Sequence, residues 1–142
     1  LCAFFASQYK RFEKEYDGED YSLKPNAVVL CYPVITMREF THKVSRQIFL
    51  GAFSGKAERE KASVELNITS DYPPTFAWHN KDDASVNVQN SIMLHEALEE
   101  KGVQNELHLY ETGGHGIGLA EGKDAEGWIE KAIDFLDRNI KK

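Results

Sequence analysis

Pro73-Pro74-Thr75-Phe76-Ala77-Trp78-His79-Asn80-Lys81-Asp82-Asp83 is the stretch on which the fold turns. Two prolines bring the chain in, five β-prone residues follow, and a polar turn holding two carboxylates takes it out. So short an unbroken apolar run, bounded by turn residues, marks a strand buried on both faces, as parallel sheets require. After the loop, Asn87 is placed to cap a helix over about Val88–Lys101, which Gly102 ends, with Ile92, Met93, Ala97 and Leu98 at helical spacing. Upstream, Ala27–Tyr32 repeats the pattern and stops at Pro33. Downstream, Glu106–Glu111 gives a third strand, and a helix runs from Asp124 to about Arg138. Strand and helix in alternation predict an α/β architecture with a parallel sheet of about three strands and flanking helices.

Two further regions lie outside this core. Residues 37–70 read as a lid-like helical insertion, with helices over Arg38–Leu50 and Lys56–Leu66. The opening Leu1–Tyr9 reads as an interior helix whose first turn is missing, since no capping residue precedes it. Lys10–Lys24 is dense in charge (Glu13, Glu15, Asp17, Glu19, Asp20) and reads as a solvated loop without the spacing of a calcium-binding hand.

Composition bounds the function. Of 142 residues, 42% are hydrophobic and 28% charged, which is globular, and the net charge of −6 with scattered basic residues argues against nucleic acid. No apolar stretch reaches the ~20 residues of a membrane span. Cys2 and Cys31 lack the spacing of a zinc or redox pair, Cys31 reading as a small buried hydrophobe. Asn67-Ile68-Thr69 forms a glycosylation sequon of the kind that also arises by chance. The compartment is left open.

Chemistry in an open parallel sheet gathers beyond the carboxyl ends of the strands. Asp82 and Asp83 follow the second strand, and His115 follows the third inside Thr112-Gly113-Gly114-His115-Gly116. Acid followed by histidine is the chain order of a hydrolase triad after its serine. A histidine can take a proton from a serine and return it to the leaving group, provided a carboxylate fixes its tautomer. The residues alone leave open which of the two carboxylates does so; the other would cap the loop. His79 stands close enough to support the acid, His42 belongs to the insertion, and His95 and His108 carry no assigned role. A metal centre built on His79, Asp82 and His115 would lack the spacing of known zinc hydrolases.

Leu30-Cys31-Tyr32-Pro33-Val34-Ile35-Thr36, Pro73–His79 with Asp82-Asp83, Val88-Gln89-Asn90-Ser91 and Gly113-Gly114-His115-Gly116 together resemble the esterase/lipase branch of the α/β-hydrolases related to prolyl oligopeptidase, including acetylxylan-esterase-like enzymes. The resemblance implies the C-terminal part of one doubly wound, mostly parallel α/β-hydrolase domain over residues 1–142. It points to Asp82 as the triad acid and His115 as the base, with no metal or cofactor. Leu1-Cys2-Ala3 looks like the continuation of a Gly-x-Ser-x-Gly-Gly-His-Leu motif, so the serine and oxyanion hole are expected upstream, and Ser7 cannot replace the nucleophile. The implied reaction is hydrolysis of a small-molecule or carbohydrate ester, with acetyl on sugars foremost. The alternative is a non-catalytic fragment or degenerate hydrolase acting in binding. One departure is Asn87, where the family usually has proline.

Overall fold

The computed structural model describes residues 1–15 and 22–140. In chain order it contains helix α1 (Cys2–Glu15), strand β1 (Val28–Cys31), helices α2 (Lys43–Leu50) and α3 (Lys56–Ala62), a 3₁₀ turn (Val64–Leu66), strand β2 (Thr75–Asn80), helix α4 (Gln89–Glu100), strand β3 (Asn105–Tyr110) and helix α5 (Trp128–Asn139). All three strands run parallel, in the order β1-β2-β3, with Val28 opposite Thr75 and Thr75 opposite Asn105. The expected α/β class and three-stranded parallel sheet are therefore found.

Alternation along β2 sorts the core into two layers. Ala77 faces α1 and α4, joining Ala3, Ala6, Val28, Leu30, Leu94 and Leu98. Phe76 and Trp78 face the other way, onto Ala132 and Phe135 of α5 and the buried Ala120 and Ala125 before it. Every residue of β2 is buried, as a central strand covered on both sides demands. β1 and β3 are the sheet's edges, and a groove lined by Leu1, Phe5, Val28 and Val29 runs beside β1.

Several boundaries move for physical reasons. The loop expected from Lys10 begins later: α1 continues to Glu15, helped by an Arg11–Glu15 pair one turn apart. The acidic residues Asp17, Glu19 and Asp20, weighed as a calcium site, lie outside the described residues, as do the terminal lysines. α2 starts at Lys43 and not Arg38, where the His42 ring nitrogen accepts from the Ser45 N–H and caps the first turn. α5 starts at Trp128 and not Asp124, because Gly127 just before it has φ +80°, a left-handed conformation that a helix does not continue through. Asn87 caps as expected: its Oδ1 accepts from Gln89 N–H at 2.9 Å. On α4 the buried face is Asn90, Ser91, Leu94 and Leu98, with Met93 only partly buried.

That polar half of the α4 face is structural. Asn90 Oδ1 accepts from the N–H groups of Ile35 (2.9 Å) and Thr36 (3.1 Å), and its Nδ2 donates to Phe40 O (2.9 Å). One buried amide thus ties α4 to the segment leaving β1. The Asn67 amide, the sequon's acceptor, donates to Ser63 O at 2.7 Å and Glu60 O at 3.1 Å, closing the end of α3. Cys2 is exposed and Cys31 half-buried, both as free thiols; burial pushes the Cys31 thiol up.

Phe76 tests this packing. It is fully buried, 4.9 Å from the His108 ring and 6.0 Å from Phe135. Phe76→Ala should cost ~3–5 kcal/mol of unfolding free energy in urea; a loss under ~1 kcal/mol would mean the α5 layer does not pack on β2 as described.

Candidate active site

The carboxyl ends of β2 and β3 hold the site. β2 delivers His79 and Asn80, the turn after it delivers Asp82 and Asp83, and the loop after β3 delivers His115. The structure brings His115 and Asp83 together: His115 Nδ1 lies 2.7 Å from Asp83 Oδ2. The Asp83 side chain is fully buried and that of His115 is 34% exposed. Among the described residues no hydrogen bond reaches His115 Nε2.

Asp82, the acid to which the family resemblance pointed, stands elsewhere. Its carboxylate turns outward and accepts from Gly113 N–H (3.1 Å) and Gly114 N–H (2.8 Å), clamping the loop that carries the histidine. The separation of roles follows from the turn. Asp83 Oδ1 accepts from Ser85 N–H (2.8 Å) and Val86 N–H (2.9 Å), a local side-chain turn that pulls this carboxylate inward while its neighbour is left at the rim. His79 joins the buried side, with Nε2 2.9 Å from Val86 O and 3.2 Å from Asp83 Oδ2, and Nδ1 2.7 Å from Ser91 Oγ.

The electrostatics match this geometry. Burial opposes the charge on Asp83, but the donors from Val86, His115 and Ser85 together outweigh it and hold the carboxyl below the usual carboxylate range. Asp82 is also held low, by the Gly114 and Gly113 N–H groups. Burial pushes His79 down, against the opposing pull of the Val86 carbonyl and Asp83, so it favours the neutral form.

The loop conformation is built for close approach. Gly113 has φ +149°, and a Cβ there would fall 2.7 Å from Asn80 Nδ2, the group that donates to Gly114 O at 2.7 Å. Thr112 N–H and Oγ each sit 2.9 Å from Asp124 Oδ2, fixing the loop's other shoulder. Tyr32, just past β1, has φ +40°, rare for a residue with a Cβ. Its ring packs edge-on against His115, with centroids 4.7 Å apart, and against Trp78 at 5.0 Å. From sequence, Tyr32 and Ser91 stand only within segments that carry the family resemblance and have no role of their own, Tyr32 also reading as the end of a strand.

The remaining histidines lie apart. His42 caps α2, His95 pairs with Asn105, and His108 lies 3.2 Å from Glu106 Oε2 on the outer strand. Among the described residues no group of three or more His, Cys, Asp or Glu is arranged to hold a metal, and no helix is long and apolar enough to cross a membrane.

Because Asp83 is held low in the folded state, its charge stabilises the fold above the ordinary carboxylate pKa, and that stabilisation is lost as pH falls through its folded value. Wild type should therefore lose stability between about pH 5 and pH 3 more steeply than Asp83→Asn, which has no carboxyl to protonate at that position. Urea unfolding across that range measures it; identical acid dependence in the two proteins would contradict the assignment.

Comparison with known proteins places this geometry in a family. Endo-1,4-beta-xylanase B of Butyrivibrio fibrisolvens is 35% identical over 109 residues, which is 77% of this chain and 17% of that protein. The acetylxylan esterase of Xylanibacter ruminicola is 33% identical over 107 residues, covering 70% and 22%. An acetyl ester-xyloside bifunctional hydrolase from Caldicellulosiruptor lactoaceticus superposes with a TM-score of 0.88 at 33% identity, over 96% of this chain and 51% of that structure. The chain thus spans about half of the solved structure and about a fifth of the two curated relatives. The prolyl oligopeptidase family model matches residues 26–142, a stretch that includes β1 to β3 and the histidine and carboxylates just described. This chain belongs to the prolyl oligopeptidase family, and its sheet is that of an α/β-hydrolase.

Proposed function

We propose that this protein is a serine carboxylester hydrolase of the acetylxylan-esterase type, working through an acyl-enzyme, with His115 as base and Asp83 as the acid that orients it. The observation that carries the reading is the 2.7 Å contact between His115 Nδ1 and a fully buried Asp83. An imidazole anchored at Nδ1 presents Nε2 for proton transfer, and the anion behind it stabilises the imidazolium formed when a serine is deprotonated. Asp82 then has the separate task of holding Gly113 and Gly114 so that the histidine is placed correctly.

The 142 residues contain no Gly-x-Ser-x-Gly. The reading therefore takes the nucleophile and oxyanion hole from sequence N-terminal to Leu1, whose strands would pair with the open edge of β1 and cover the apolar groove beside it. Residues 37–70 would form a wall over the substrate. In support, Tyr32 touches His115, and the following Pro33 and Val34 line a groove of about 510 Å³ shared with Ile48 and Phe49 of α2. The names of the relatives, two of which describe acetyl ester hydrolysis, favour acetyl groups on xylan or xylosides as substrate.

The test is hydrolysis of acetylated xylo-oligosaccharides by the intact protein, alongside labelling by a fluorophosphonate probe. Acetate release and labelling are expected, and His115→Ala should reduce both by about a thousandfold or more. An intact, folded protein that neither labels nor releases acetate would instead be a binding module built on a hydrolase fold.

A further inference from the structure

The acid has a buried neighbour that the proposed triad does not use. His79 lies on the α4 side of β2, in alternation with Ala77, and is fully buried. Its Nε2 faces only acceptors: Val86 O at 2.9 Å and Asp83 Oδ2 at 3.2 Å. Its Nδ1 faces Ser91 Oγ at 2.7 Å, and Ser91 is buried as well. A neutral imidazole has one donor and one acceptor nitrogen. With Nε2 protonated, its N–H donates to the Val86 carbonyl and turns its electropositive edge toward Asp83 Oδ2, 3.2 Å away, while Nδ1 accepts from the Ser91 hydroxyl. With Nδ1 protonated, the Nε2 lone pair would confront the Val86 carbonyl and the Asp83 carboxylate in a dry site, a repulsive arrangement that also leaves the carbonyl without this donor.

Asp83 gains from the first arrangement. Oδ1 is held by the Ser85 and Val86 N–H groups, and Oδ2 is bonded to His115 Nδ1 on one side and lies 3.2 Å from His79 Nε2 on the other. The one donor to Oδ2, His115, is a loop histidine that is itself partly exposed, so the electropositive edge of His79 is the other group that faces Oδ2.

We propose that His79, held in its Nε2–H tautomer by Ser91, is a positioning residue: it steadies Asp83 Oδ2 so that the carboxylate stays aimed at His115. Its kinetic consequence rests on the hydrolase reading above; its tautomer and contacts do not. Among the described residues His79 makes no hydrogen bond to the loop glycines, so Asp83 is the group that links it to His115.

The experiment combines imidazole ¹⁵N–¹H correlation spectra of the intact protein with kinetics on p-nitrophenyl acetate. In wild type, His79 should show a protonated Nε2 and a bare Nδ1; a protonated Nδ1 overturns the proposal without any variant. His79→Phe keeps the ring and removes the donor. It should lower kcat on the order of tenfold at unchanged KM, as the carboxylate loses the electropositive neighbour that faces Oδ2, and broaden away the downfield His115 Nδ1–H resonance. His79→Gln, which restores an amide donor near the Nε2 position, should recover most of both. Full kcat and a sharp resonance in His79→Phe would overturn the positioning role. Should that variant fail to fold, Ser91→Ala carries the kinetic test: a smaller fall in kcat at constant KM supports the role, and an unchanged kcat opposes it. A wild type that is inactive on the ester sinks the hydrolase reading by itself, and the spectra still decide the tautomer.

Discussion

A carboxylate taken out of water must find donors, and Asp83 is the group around which the carboxyl ends of the strands are arranged. Its side chain is fully buried, and three donors reach it: two backbone N–H groups from its own turn and the imidazole of the loop after β3, while the His79 imidazole of β2 lies 3.2 Å away. Each donor fixes an element. The Ser85 and Val86 N–H groups shape the turn into α4, His79 ties that turn to the central strand, and His115 binds the glycine loop down. The same contacts that make the burial tolerable also hold the imidazole that would do chemistry.

Asp82 is one residue away and has a different environment. Exposed at the rim, it clamps Gly113 and Gly114, while Asn80 and Asp124 secure the same loop from inside and from its far side. Gly113 leaves no room for a side chain against Asn80, so the loop can pass this close only with glycine there. Two adjacent carboxylates therefore divide the work: one orients the histidine ring, and the other orients the backbone that carries it.

Much of this was legible in the sequence. The β-rich runs ending at Pro33, at the Asp pair and at the Gly-Gly-His loop marked the three strands, and the parallel alternation placed Asp82, Asp83 and His115 at one end of the sheet. What periodicity could not resolve is which of two neighbouring aspartates turns inward. That depends on the N–H groups of Ser85 and Val86, two and three residues on from Asp83, and the side-chain turn they form is the local signal that distinguishes it. The tasks of Asn90 and Ser91, residues met in sequence only within a family-like segment, were hidden for a related reason. Hydrophobic pattern identifies a buried helix face by its apolar residues, and here half of that face is polar, buried because it serves the segment after β1 and His79. The late start of α5 came from a left-handed Gly127 and the late end of α1 from the Arg11–Glu15 pair, neither of which a pattern of apolar residues encodes.

The most direct measurement of the central claim is kcat for ester hydrolysis by the intact protein carrying Asp82→Asn or Asp83→Asn, each with its fold verified. The geometry predicts that Asp83→Asn loses activity on the order of ten-thousandfold, the scale expected when the carboxylate behind a base histidine is replaced by an amide. Asp82→Asn should retain far more, since an amide oxygen can still accept from a loop N–H. The reverse ranking, with Asp82→Asn inactive and Asp83→Asn nearly normal, would contradict the arrangement of the site described above.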